Sequence, residues 1–213
     1  DFLRNLPSDK RFVRIDDVLF PLDTLIHHYV PQFMAPWMRV YFAYKLENPV
    51  SVSPHLHPGH NLPYDAYYRV GISFSKINDK WLEGVPIGIP SNVHWVYTRK
   101  SISFVRDATR SLNHNHVENE KVNDEASVIA FPVLYSDDDN PNECIGVIGI
   151  SSPNAGEVTS QEYTALTREL STLFSALFYA YGKYLQRNMS FNEVIRQLRF
   201  EIHEHFETIN PLG

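Results

Sequence analysis

Hydrophobic and polar positions along the chain fall into two periods. From Val18 to Phe33, Leu19, Leu22, Leu25, Ile26, Tyr29 and Val30 recur three or four residues apart, which predicts a helix with Pro21 in its first turn and Pro31 near its end. Trp37 to Leu46 is dense in aromatic and apolar residues and predicts a strand. Tyr67 to Ile77 alternates: Tyr68, Val70, Ile72 and Phe74 point one way, and Tyr67, Arg69, Gly71, Ser73 and Ser75 the other. Between these two strands, residues 48–63 hold four prolines and three histidines and read as a loop. Residues 81–112 open on Gly84, Pro86, Gly88 and Pro90, so they read as a crossover, with a short helical turn from Ser91 to Thr98 and a short strand from Ser101 to Arg106. Asn113 to Glu125 is a polar surface loop. Ser127–Tyr135 and Cys144–Ser151 form a hairpin closed by the acidic turn Asp137–Glu143. Pro132 tells against a central ladder position unless it sits at a bulge or its nitrogen faces no strand.

The C-terminal third changes period. Thr159 with Glu162 three residues on has the pattern of a capping box. Tyr163, Leu166, Leu170, Leu173, Phe174, Leu177, Phe178 and Tyr181 then run at helical spacing to about Leu185. After Met189, a second stripe of Phe191, Val194, Ile195, Leu198, Ile202 and Phe206 ends at Asn210-Pro211. Strands and helices are segregated, so the fold class is α+β: an antiparallel sheet with helices packed on one face and a long C-terminal helix. The other face, bearing the polar side of the Tyr67 strand, is left for a pocket, loops or a partner. The implied division is a lead-in over residues 1–17, a domain over 18–185 and a connecting helix over 186–213. The apolar stripe continuing past the domain suggests a homodimer through the terminal helices, with Leu170, Phe174, Leu177 and Tyr181 in the seam.

Composition narrows the function more than the fold. With 213 residues, 13 Phe and 12 Tyr, the chain can build an aromatic core. A net charge of −6 and no Lys/Arg run longer than two exclude a nucleic-acid module. No apolar stretch approaches the roughly 20 residues that span a bilayer, and the first residues, Asp1-Phe2-Leu3-Arg4-Asn5, lack the apolar region of a signal peptide, so none is expected. The single cysteine, Cys144, excludes an internal disulfide and suits a reducing, cytoplasmic compartment. Neither a nucleophile-elbow motif nor a phosphate-binding glycine loop is present, so no catalytic residue is expected and the domain reads as no enzyme. Of the histidines, His55, His57, His60, His114 and His116 lie in proline-rich or polar loops, and His203 and His205 on a helix turn apart from one another, so no metal site is expected. On the polar face Arg39 should lie beside Tyr41, and Arg69 beside Tyr67 and Ser73. Two guanidinium groups there could grip a carboxylate or phosphate.

Residues 18–185 resemble the GAF family of sensory domains, and three stretches carry the resemblance. Val85-Pro86-Ile87-Gly88, followed by Val96-Tyr97-Thr98-Arg99-Lys100 and the run from Ser101 to Asp107, is similar to the family's mid-domain pattern of a short helix leading to a strand that ends in Asp. Val128-Ile129-Ala130-Phe131-Pro132-Val133 resembles a family strand in which proline is expected. Ile145-Gly146-Val147-Ile148-Gly149-Ile150 and the helix after Thr159 resemble the closing elements. The resemblance implies a regulatory domain of a larger signalling protein that binds a small molecule, dimerises, or both, and passes a signal through its terminal helices. A ligand-free interaction module is the alternative. It also implies that Asp107 closes the pocket, which Trp95, Tyr97 and Phe104 would help to line. Family members that carry bilin attach it to a mid-domain cysteine, and those that reduce methionine sulfoxide need several; Cys144 meets neither condition, and no cofactor is named by the sequence.

Overall fold

The computed structural model describes residues 15, 18, 19, 35, 37–46, 66–73, 79–86, 91–107 and 126–209, with 66–73, 79–86 and 207–209 by backbone alone. The helix predicted over Val18–Phe33 lies outside these residues except for Val18 and Leu19, which are buried in the core. Six strands form one antiparallel sheet: β1 Arg39–Leu46, β2 Ala66–Ser73, β3 Asp79–Pro86, β4 Ser103–Val105, β5 Ser127–Tyr135 and β6 Glu143–Ser152, in the spatial order β3-β2-β1-β6-β5-β4. Among the described residues, the helices seen from end to end are α1 Asn92–Arg99, α2 Gln161–Leu185 and α3 Phe191–Ile209, with a 3-10 turn at Glu157–Thr159 before α2.

β3 replaces the first part of the predicted crossover. It pairs with β2 over eight positions, from Ala66↔Pro86 to Ser73↔Asp79. Gly84 and Pro86 look like breakers, but β3 ends the sheet, and an outer strand tolerates both. Pro132 is explained in the same terms. β4 pairs with β5 only as far as Ala130. Beyond it the outer side of β5 is met by α2: Ser171 donates to the Pro132 carbonyl at 2.7 Å, and the Leu134 N–H donates to Ser175 at 3.0 Å. Since N and C=O of one strand residue point the same way, the proline nitrogen faces α2 and no ladder bond is forfeited.

The alternation of β1 puts Val40, Phe42, Tyr44 and Leu46 on one face, where they meet Ile129, Phe131, Val133, Tyr135, Ile148 and Ile150 beneath α2 and α3. The Phe42 ring stacks on Phe174 at 5.1 Å. Gly146 leaves room for that ring: a Cβ there would lie 2.3 Å from it. Gly182 does the same for Tyr135, whose ring a Cβ would approach to 2.1 Å. The N-cap of α2 is Ser160, one residue after Thr159, and α3 opens on Ser190, whose N–H and hydroxyl both donate to Glu193.

This packing corrects the dimer seam. Leu170, Phe174, Leu177 and Tyr181 are buried against the sheet within one chain, so they are core residues. The second stripe is corrected likewise. Val194, Ile195, Leu198 and Ile202 sit in the same core, because α3 folds back across β1 and β6 instead of leaving the domain at residue 186. α2 and α3 lie on one face, as expected, while α1 covers the other.

Candidate functional site

The face beneath α1 has its own smaller core. Tyr41 and Ala43 of β1, Val128 and Ala130 of β5, and Cys144 and Val147 of β6 pack with Val93, Val96 and Tyr97 of α1 and Val105 of β4. The Tyr41 ring lies across Gly149, where a Cβ would come within 2.3 Å of it. Ser91 caps α1 by accepting from the His94 N–H at 3.1 Å. The helix ends at Lys100, which adopts the left-handed conformation (φ 52°) and reaches Glu143 at 3.0 Å and the Asn142 carbonyl at 2.6 Å.

Tyr97 enters the sheet itself. The β1–β6 register runs from Arg39↔Ser151 to Ala43↔Val147 and stops. Two positions further on, Lys45 and Ile145 would face each other in that register, and between them stands the Tyr97 hydroxyl, accepting from the Lys45 N–H at 2.8 Å and donating to the Ile145 carbonyl at 2.5 Å. One phenol thus holds open two strands and satisfies the groups it separates. From the opposite face, Arg199 of α3 brings its guanidinium to 6.0 Å from the Tyr97 ring centre. Arg199 also donates to the Cys144 carbonyl at 2.9 Å and pairs with Glu143 at 3.2 Å.

The candidate residues separate by strand parity. Arg39 and Tyr41 share the α1 side of β1, and the β2 register sets Tyr67 opposite Lys45, Arg69 opposite Ala43 and Ser73 opposite Arg39. The side chains of Tyr67, Arg69 and Ser73 lie outside the described residues. Trp95 packs against the small core and Tyr97 is part of it. Phe104 is corrected: it is 51% exposed, pairs in register with Ile129 and meets the edge of Phe131 at 6.4 Å, which places it on the face of α2. Asp107 is half-buried just beyond β4, next to Arg106, whose carbonyl accepts from the Gly156 N–H at 2.7 Å.

Two residues were missed by sequence reasoning. Arg199 lies in a helix taken for a connector. Asn92 is the first residue of α1, is 5% exposed, and accepts a hydrogen bond at Oδ1 from the Ser103 hydroxyl, while its Nδ2 has no partner among the described residues. A buried amide left half-satisfied is uncommon and costs stability; nothing in a Ser-Asn dipeptide announces it.

Cys144 is buried, and burial pushes its thiol up to about 12 against the opposing pull of Arg199. It is therefore protonated near neutrality and is no thiolate nucleophile. His203 is buried with its Nδ1 at 2.9 Å from the Tyr44 hydroxyl. His55, His57, His60, His114 and His116 lie outside the described residues, and among the described residues no group of three His, Cys, Asp or Glu side chains is placed to hold a metal. No described helix is long and apolar enough to cross a membrane.

No family model matches the chain, and no curated protein does. Solved structures do. Type II free methionine-R-sulfoxide reductase from Thermoplasma acidophilum superposes with a TM-score of 0.51 at 13% identity, over 76% of this chain and 94% of that one. The fold is of the GAF type. The GAF domain region of a protein from Geobacter sulfurreducens PCA gives 0.47 at 13% identity, over 77% of this chain and 95% of its own. A far-red cyanobacteriochrome photoreceptor gives 0.47 at 12%, over 76% and 91%. The first score carries the shared fold, and the lower ones add nothing to it. The comparison also corrects the expectation of a non-catalytic domain. The Thermoplasma protein is an enzyme built on this architecture, so missing sequence motifs do not decide against catalysis here.

Proposed function

We propose that this chain is a ligand-responsive regulatory domain of a larger signalling protein. In this reading a small molecule bound on the α1 face biases the position of the C-terminal helix α3. The observation that supports it is the contact through the sheet: Tyr97 on the ligand side and Arg199 on the output side touch where β1 and β6 separate. A ligand that shifts α1 by a fraction of an ångström moves the Tyr97 hydroxyl against two strand ends, and Arg199 feels the ring above it. The shift in population equals the difference in the ligand's affinity for the two helix positions. The buried free thiol of Cys144 suits a reducing compartment, and we place the domain in the cytoplasm on that ground.

Native mass spectrometry of the purified protein tests the reading. A mass excess that disappears on denaturation identifies a retained ligand. A bare chain is then screened by thermal shift with carboxylates, amino acids and nucleotides, where a ligand present at about 100 times its Kd adds about 2.7 kcal/mol. A bare mass together with no shift from any of these classes contradicts the proposal.

A further inference from the structure

Resting on that reading of the sheet as the link between α1 and α3, we infer that Glu143 is a shared anchor for the two helices and that Lys100 is its releasable arm, so that drawing Lys100 away loosens α3. Three consecutive residues of β6 make the junction. Glu143 accepts from Lys100, at the end of α1, on Oε2 at 3.0 Å and from Arg199 of α3 on Oε1 at 3.2 Å. The Cys144 carbonyl accepts from the same Arg199 nitrogen at 2.9 Å, and the Ile145 carbonyl from Tyr97 of α1 at 2.5 Å. The pairing with β5 shows how neighbouring residues come to serve opposite sides of the sheet. Val133 pairs with Gly146 and Leu134 with Cys144, so Ile145 is an extra residue, a β-bulge. A bulge breaks the ladder locally and re-aims the groups beside it, and here side chains from α1 and α3 take them up.

Lys100 is the strained member. Its φ of 52° and ψ of 35° are left-handed, and among the described residues no other non-glycine has a positive φ. The position closes a helix, where glycine is the usual occupant because a Cβ is penalised there. Lysine supplies what glycine cannot, an ammonium on Glu143 and on the Asn142 carbonyl at 2.6 Å. The two cations depend on Glu143 unequally. The Arg199 side chain is 12% exposed, against 37% for Lys100. Lys100 can exchange its partner for water, whereas a charge in the drier position is costly to leave uncompensated. Arg199 carries both its bonds to β6 on Nη2, and its Nε is buried with no partner among the described residues. Its hold on β6 therefore rests on Glu143 staying in place. With Lys100 attached, the glutamate is already ordered, and Arg199 meets it at a smaller loss of rotamer freedom. A ligand that shifts the end of α1 breaks the exposed Lys100 contact before it disturbs the buried Tyr97 bond.

Lys100→Gly separates the link from stability. It removes the ammonium but relieves the left-handed backbone, so the melting temperature should stay nearly unchanged. Amide exchange over residues 194–203, relative to residues 161–170, should nevertheless quicken about two- to fivefold. Lys100→Met keeps the Cβ and loses the charge, and it should match Lys100→Gly at α3. In a Glu143→Gln background neither change at Lys100 should alter α3 further. Unchanged exchange in α3 overturns the inference, as does an effect of Lys100→Gly that Lys100→Met does not share, or an effect that persists without Glu143. None of these measurements uses a ligand. A failed ligand screen therefore contradicts the regulatory reading and leaves the junction standing, whereas an α3 indifferent to Lys100 removes the junction and leaves ligand binding on the α1 face intact.

Discussion

The Tyr97 hydroxyl occupies a position where two strands would otherwise bond to each other. Replacing it with Phe leaves the Lys45 N–H and the Ile145 carbonyl unmatched in a half-dry environment. Tyr97→Phe should therefore cost about 1–3 kcal/mol, read as a lower denaturation midpoint at unchanged slope. Titrating groups give a second prediction at this scale. Burial raises the Cys144 thiol from 9.0 to about 12, and burial with the nearby Asp137 raises Tyr135 from 10.0 to about 12. Both groups are neutral when protonated. Above about pH 9 the unfolded chain therefore loses protons that the folded one retains, and stability should fall from there towards pH 12. A melting temperature flat between pH 8 and about pH 11 contradicts this. In the same window Cys144 should react with a maleimide only at the rate of unfolding.

At the scale of elements, glycines and hydroxyls set how closely helix and sheet approach. Gly182→Ala would drive a methyl into the Tyr135 ring and push α2 from β5, at a cost of about 1–3 kcal/mol. Phe174→Ala should cost about 3–5 kcal/mol without altering the molecular mass seen by light scattering, since Phe174 is enclosed by its own chain. A change of mass with no loss of stability would restore the dimer seam. The periods of α2, α3, β1, β5 and β6 were legible because each buries one continuous face. β3 was not, because the Gly and Pro that an outer strand tolerates are also the signals of a turn. The faces of α2 and α3 were read correctly as apolar stripes, but periodicity says only that a stripe is buried and not against what. Phe104 shows a related limit: one residue's shift along a short strand changes its face, and Ser101–Arg106 gave no alternation long enough to fix it.

Among the described residues, two unequal cores flank one sheet. The larger, under α2 and α3, supplies most of the buried apolar surface. The smaller, under α1, carries the half-satisfied Asn92 and the hydroxyl of Tyr97 within the sheet. At the candidate site, the shared side of Arg39 and Tyr41 on β1 could be read from alternation, but not that α1 covers that side with an apolar core, and the family resemblance pointed to Tyr97. The link to Arg199 could not be read, since 102 positions separate the two residues and only the return of α3 across the sheet joins them. That link is the central claim.

Amide hydrogen exchange on the wild type and Tyr97→Leu tests it most directly, with the start of α2 as internal reference. Removing the ring takes away the cation–π contact from a largely buried guanidinium. Exchange across residues 194–203 of α3 should then quicken roughly tenfold relative to residues 161–170. A change confined to α1 and the adjoining ends of β1 and β6, with α3 protected as before, would contradict the account.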